Sequence, residues 1–109
     1  MYKLKILREA VIQRQIIEYI ERLGFYVVKI IQCNKNGFPD LMVLIRGSAI
    51  FIEVKSATGK VSELQKYRHQ QLIDNGHPVI ITSSLTHFKN ELTTISESIQ
   101  KQRTLSHSN

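Results

Sequence analysis

Three residues have types and spacing that could do chemistry: Asp40, Glu53 and Lys55. In the stretch IFIEVKS, residues 50–56, Ile50, Phe51, Ile52 and Val54 describe a strand covered on both faces, yet Glu53 and Lys55 sit inside it. Charged side chains are rarely buried without a partner or a task. Side chains alternate along a strand, so Phe51, Glu53 and Lys55 share one face. Asp40 opens the preceding apolar run, directly after Gly37-Phe38-Pro39, and a turn around Gly47-Ser48 brings position 40 opposite about position 55. Two carboxylates and an ammonium then meet at one end of a sheet. Carboxylates placed like this suit Mg²⁺, which keeps several waters and takes one or two protein carboxylates plus substrate phosphate. A metal there would activate water and neutralise a phosphodiester, while the lysine orients the nucleophile or stabilises developing negative charge. The same residues also read as a plain ion pair, Glu53 or Asp40 with Lys55, and an isolated E-x-K does not choose between the two.

The elements that must position these residues follow from changing periodicity. From Lys3 to Leu23 apolar residues recur at helical spacing, with Ile12, Ile16, Tyr19, Ile20 and Leu23 in one stripe and Gly24 at the C-cap. Residues 25–33 are β-branched and aromatic and predict a strand. Residues 40–46 and 49–55 predict a hairpin. Ser62-x-x-Gln65 is a capping box that opens a second helix ending at Gly76. After Pro78, VIIT is a short apolar strand, and residues 85 to about 102 form a third helix capped by Ser84 or Thr86. The order is α-β-β-β-α-β-α, a mixed four-stranded β-sheet flanked by helices in an α/β fold. Residues 1–102 form a single domain and residues 103–109 a disordered tail.

Composition narrows the partners. Residues 1–22 carry five Lys and Arg against three acids, residues 23–68 seven against three, and residues 69–109 three against three. The excess lies in the first two thirds and favours a polyanion, nucleic acid before membrane because no long basic amphipathic helix is present. No apolar run is long enough to span a bilayer, and the charged N-terminus does not read as a signal peptide, so a cytoplasmic protein is expected. The single cysteine, Cys33, reads as a buried thiol in a reduced compartment. The histidines at 69, 77, 87 and 107 show no ligand spacing, and His69 on the second helix reads as exposed.

The segment GFPDLMVLIRGSAIFIEVKSATGKVSELQ resembles the PD-(D/E)XK nuclease superfamily and, within it, the stand-alone viral or bacteriophage form of the VRR-NUC family. G-x-P-D precedes one strand, E-V-K ends the next, and a glycine-lysine loop leads into SELQ. The opening stretch REAVIQRQIIEYIERLGFYVVKI is similar to that family's first helix and strand. The resemblance covers residues 8 to about 90 and implies a restriction-endonuclease-like core.

It further implies that Asp40 and Glu53 are metal-binding carboxylates, that Val54 offers its carbonyl as a further ligand, and that Lys55 is the catalytic lysine. Glu9 becomes an acid reaching the metal through water, supported by Gln13 at i+4; a surface charge beside Arg8 is the other reading. Gln65 points into the site beside Lys55, or serves only its capping box. Lys35, Lys60, Lys66 and Arg68 become phosphate contacts, or remain solvated charges. The function implied is a Mg²⁺- or Mn²⁺-dependent DNA endonuclease, acting as a homodimer on branched DNA, specifically four-way junctions. A flap or single-strand-end nuclease would use the same site, and a non-catalytic DNA-binding module would use the charge alone. If the gene is phage-borne, the host cytoplasm is the compartment expected.

Overall fold

The structure, a computed structural model, describes residues 2–107. Helix α1 (Tyr2–Arg22) leads into strand β1 (Tyr26–Lys29), followed by the hairpin of β2 (Leu41–Ile45) and β3 (Ser48–Val54). Helix α2 (Glu63–Asp74) crosses to β4 (Val79–Thr82), and α3 (Leu85–His107) closes the chain. The sheet order is β1-β2-β3-β4, antiparallel except for β3 with β4. The parallel pair needs a crossover, which α2 supplies.

Alternation sorts the strands between two layers. Leu41, Val43 and Ile45 of β2 and Ile50, Ile52 and Val54 of β3 are buried with Ile16 and Ile20 of α1 and Phe88 and Leu92 of α3. This is the main core. The opposite sheet face meets α2 and carries Phe51, whose ring stands edge-on to Phe38 at 5.4 Å, and Glu53. Glu53 is therefore the one charged side chain on a buried stretch of the central strand.

Five sequence expectations shift. The hairpin turn is Arg46-Gly47, not Gly47-Ser48: both residues have positive φ, +51° and +82°, the signature of a type I′ turn, and Ile45 pairs with Ser48. With Leu41 opposite Ile52, Asp40 lies across from Glu53 rather than from Lys55. Strand β1 ends at Lys29, well short of residue 33, because its only partner, β2, begins opposite that residue; after the Ile30 N–H donates to the Asp40 carbonyl (2.8 Å), no strand remains to pair with. Cys33 consequently sits in an exposed loop, its Sγ donating to the Lys35 carbonyl at 3.3 Å, and is not a buried thiol. Helix α3 runs on to His107 through the segment read as a disordered tail. No Gly or Pro interrupts it after Ser84, which caps it by accepting from the His87 N–H at 3.1 Å, and Gln100 accepts from the Arg46 guanidinium at 2.9 Å, tying the helix to the hairpin turn. Ser108 and Asn109 lie outside the described residues.

Gly37 fixes how the loop before Asp40 docks on α2. Its φ is +79°, and a Cβ there would stand 2.9 Å from the Leu64 Cγ and 3.3 Å from the Leu64 backbone. Gly37→Ala should therefore cost about 1–2 kcal/mol for the left-handed backbone alone. Urea unfolding checks the size of that loss, and an unchanged midpoint would mean the loop can move away from α2.

Candidate active site

The site gathers around the C-terminal end of β3. Asp40 is held at the start of β2 by a local bond: its Oδ2 accepts from the Val54 N–H at 2.8 Å. Glu53, 1% exposed, faces α2. Its Oε1 lies 3.1 Å from His69 Nε2, and its Oε2 accepts from Gln65 Nε2 at 3.3 Å. Lys55 follows on the same face; its backbone N–H donates to the Thr82 carbonyl of β4 at 2.9 Å, and its Nζ lies 3.9 Å from Glu53 Oε2. From α1, Glu9 reaches the same strand end, where its Oε1 accepts from the Ser56 N–H at 3.2 Å. Residues from two strands and two helices thus meet at one point.

Gln65 makes the capping box and also bonds Glu53. Its side-chain oxygen accepts from the Ser62 N–H at 2.9 Å, and its backbone N–H donates to Ser62 Oγ at 3.1 Å, completing the capping box. Its amide nitrogen remains free to hold Glu53. The cap fixes the first turn of α2 and so aims the amide at the carboxylate.

His69 is a correction. Expected on the surface, it is 5% exposed and bonded to Glu53. It follows Gln65 by one helical turn, and i,i+4 positions share a face; that spacing was the available signal, because a helix that aims Gln65 at the strand aims His69 there too. Ser56 was also passed over, although its N–H is what brings Glu9 to the strand end.

The electrostatics follow from burial. The Glu53 carboxyl is pushed up to about 8 from its ordinary 4.5, chiefly by burial, then by the charge of Asp40 and a hydrogen bond shared with it; Glu9 adds to this and Lys55 opposes it. Burial also lowers the His69 imidazole, with Lys55 acting in the same direction and Asp40 against it. Near neutral pH, without a bound cation, Glu53 mostly keeps its proton and His69 is neutral.

The other nominated residues are placed less centrally. Gln13 is half-buried on α1, with no hydrogen bond to the site among the described residues. Lys35 and Lys60 are exposed on loops. Lys66 pairs with Glu63 at 3.1 Å on the surface of α2. Arg68 donates to the Asn36 carbonyl at 2.8 Å and to Gln71 at 3.0 Å, so its guanidinium already braces the loop against α2.

Among the described residues, no group of three or more His, Cys, Asp or Glu forms a ready metal cage. Asp40 and Glu53 instead present two hard oxygen donors whose mutual repulsion a cation would relieve. That donor set, two carboxylates with room for water, fits a hard divalent cation such as Mg²⁺ or Mn²⁺.

The VRR-NUC domain family matches residues 3–85, most of the chain. "Putative nuclease p44" of Acyrthosiphon pisum secondary endosymbiont phage 1 is 29% identical over 82 residues, spanning 74% of this chain and 88% of that protein. A solved structure described as "VRR_NUC domain" superposes with a TM-score of 0.70 at 30% identity, covering 79% of this chain and 95% of the other. A second, "VRR_NUC domain protein", gives 0.67 at 17% identity over 80% and 86%, a likeness of fold. No described helix is long and apolar enough to cross a membrane.

Proposed function

Because the chain belongs to the VRR-NUC family of nucleases, we propose that it is a Mg²⁺- or Mn²⁺-dependent endonuclease whose active site is the C-terminal end of β3. The observation that supports this best is the meeting of Asp40, Glu53, Lys55 and Glu9 around one strand end, with Glu53 buried. Asp40 and Glu53 would hold the cation, with the Val54 carbonyl as a further ligand and Glu9 reaching it through water. The cation, when bound, would supply charge neutralisation at the phosphodiester and a more acidic water. Gln65 and His69 fix the Glu53 carboxylate from the α2 side, so its rotamer is set before any ligand arrives. Lys55, with its side chain 18% exposed, is the cation positioned to orient the attacking water or to stabilise charge on the phosphate oxygens. Loss of the Glu53 support should show in the rate: His69→Ala should slow cleavage by about 10- to 100-fold. Equal rates in His69→Ala and wild type would make that histidine a packing residue only.

One site cuts one strand, and symmetric processing of a branch needs two sites at a fixed separation, which a two-fold homodimer provides. The reading is therefore a homodimer that places paired nicks in a four-way junction. Apolar residues of α1 or α3 left over from the core are candidates for the dimer surface, although Phe88 and Leu92 of α3 are buried and Ile95 and Ile99 pack against the core. Tyr26 and Leu44, directly opposite in the β1–β2 register, are 67% and 42% exposed and make the apolar pair best suited to the role. The expected result is a dimer by light scattering that nicks junctions in preference to flaps and loses DNA affinity steeply with salt. A monomer that prefers simple flaps would favour the flap-nuclease reading.

A further inference from the structure

Beside the site, α1 turns a second stripe outward. Leu4, Arg8, Val11 and Gln15, at i, i+4, i+7 and i+11, form one wall of an open trough of about 420 Å³, and Ser56 and Ala57 lie along the other. Leu4 is 54% exposed and Val11 41%. Among the described residues the lining is largely apolar in surface, with one guanidinium, one amide, two serine hydroxyls and no carboxylate. The trough begins where the site ends: Ser56 follows Lys55 and holds Glu9 through its N–H. Ser56 itself is 2% exposed, and its hydroxyl has no hydrogen-bond partner among the described residues.

From this the geometry points to a nucleobase subsite: the trough receives a base unstacked from the cleaved strand, next to the phosphate at Lys55. The inference rests on the nuclease reading above. A DNA strand whose phosphate lies at Lys55 can run on past Ser56, and the exposed wall it would meet there carries Leu4 and Val11 beside Arg8. Phosphates have no reason to sit on Leu4 and Val11, whereas the faces of a base do. The volume falls within the ~300–1,000 Å³ of small-ligand sites, and Arg8 and Gln15 offer donors to a base edge or to the adjoining phosphate. A base inside a regular stacked duplex cannot reach the trough, so the subsite would select strands unpaired at a branch, nick or end. Selection for branched DNA would then come from α1, within the domain that cuts.

The test uses 2-aminopurine, which is quenched while stacked, placed at successive positions around the cleavage site of a branched substrate bound to Asp40→Asn protein. Binding should raise the fluorescence at one position. Adding Val11→Ser should remove that rise and bring the affinities for branched and fully paired DNA closer together; thermal melting of the Val11→Ser protein, altered at a partly exposed position, checks that the fold survives. Quenched probe at every position in a bound complex, or a rise that survives Val11→Ser, would overturn the subsite. So would a dimer that becomes a monomer in Val11→Ser, which would make the trough a subunit contact. Wild-type cleavage measured alongside separates the failures: a protein that cuts DNA but leaves the probe stacked loses only the subsite, and one that cuts no DNA with Mg²⁺ or Mn²⁺ loses both.

Discussion

Glu53→Gln is expected to abolish DNA cleavage while leaving DNA binding intact or tighter. The substitution keeps the shape of the side chain and its bonds toward Gln65 and His69, but removes the ionisable oxygen that a cation would bind and any negative charge that would face phosphate once Glu53 ionises. The same variant should reveal the cost of burying that carboxyl. The folded value for Glu53, about 8, lies above the ordinary 4.5, so its proton contributes stability that is fully present below about pH 4.5 and lost as the pH rises through about 8. His69, lowered by burial, acts with the opposite sign: its contribution is present above the ordinary 6.5 and lost as the pH falls through the depressed value. In chelator, then, the melting temperature of the wild type should fall between pH 6 and pH 9 relative to that of Glu53→Gln. The same linkage makes cation binding compete with a proton, so wild-type cleavage at limiting Mg²⁺ should climb toward pH 8. Parallel melting curves over this range, with cleavage indifferent to pH, would mean that Glu53 is already ionised in the folded protein.

Lys55→Ala should also be inactive, by about 10²- to 10³-fold if the ammonium stabilises charge only in the transition state, yet it should still bind the cation. The two variants therefore separate holding the metal from using it. Removing the ammonium, 3.9 Å from Glu53, also removes the charge that opposes the rise of that carboxyl, so the pH at which cation binding becomes strong should move upward. Mn²⁺ binding followed by its paramagnetic resonance signal measures this directly. Loss of Mn²⁺ binding in Lys55→Ala would show that the lysine shapes the site rather than serving the reaction.

Asp40, Glu53 and Lys55 were legible in the sequence because a strand has a period of two, and charges inside an apolar run break that pattern visibly. Their exact opposition was not. The register depends on Arg46 taking a positive φ, a conformation costly for a side-chain residue, and the sequence alone favoured letting Gly47 open the turn. Gln65 could be found through its capping box, and His69 only through its i,i+4 spacing from Gln65, since α2 has few apolar residues to declare which face turns inward. The end of β1 depends on where β2 begins, and the turn that sets the register is tied to α3 by a contact between Arg46 and Gln100, 54 residues apart. Local patterns were readable, whereas features decided by a distant partner were not.

In the proposed mechanism Asp40, pinned by the Val54 N–H opposite Glu53, holds the cation that makes the strand end catalytic. Cleavage and binding of a branched DNA by Asp40→Asn, measured with Mg²⁺ under conditions in which the wild type cuts, test it most directly. DNA that is bound and left uncut is the expected result; normal cutting by Asp40→Asn would remove Asp40 from the site.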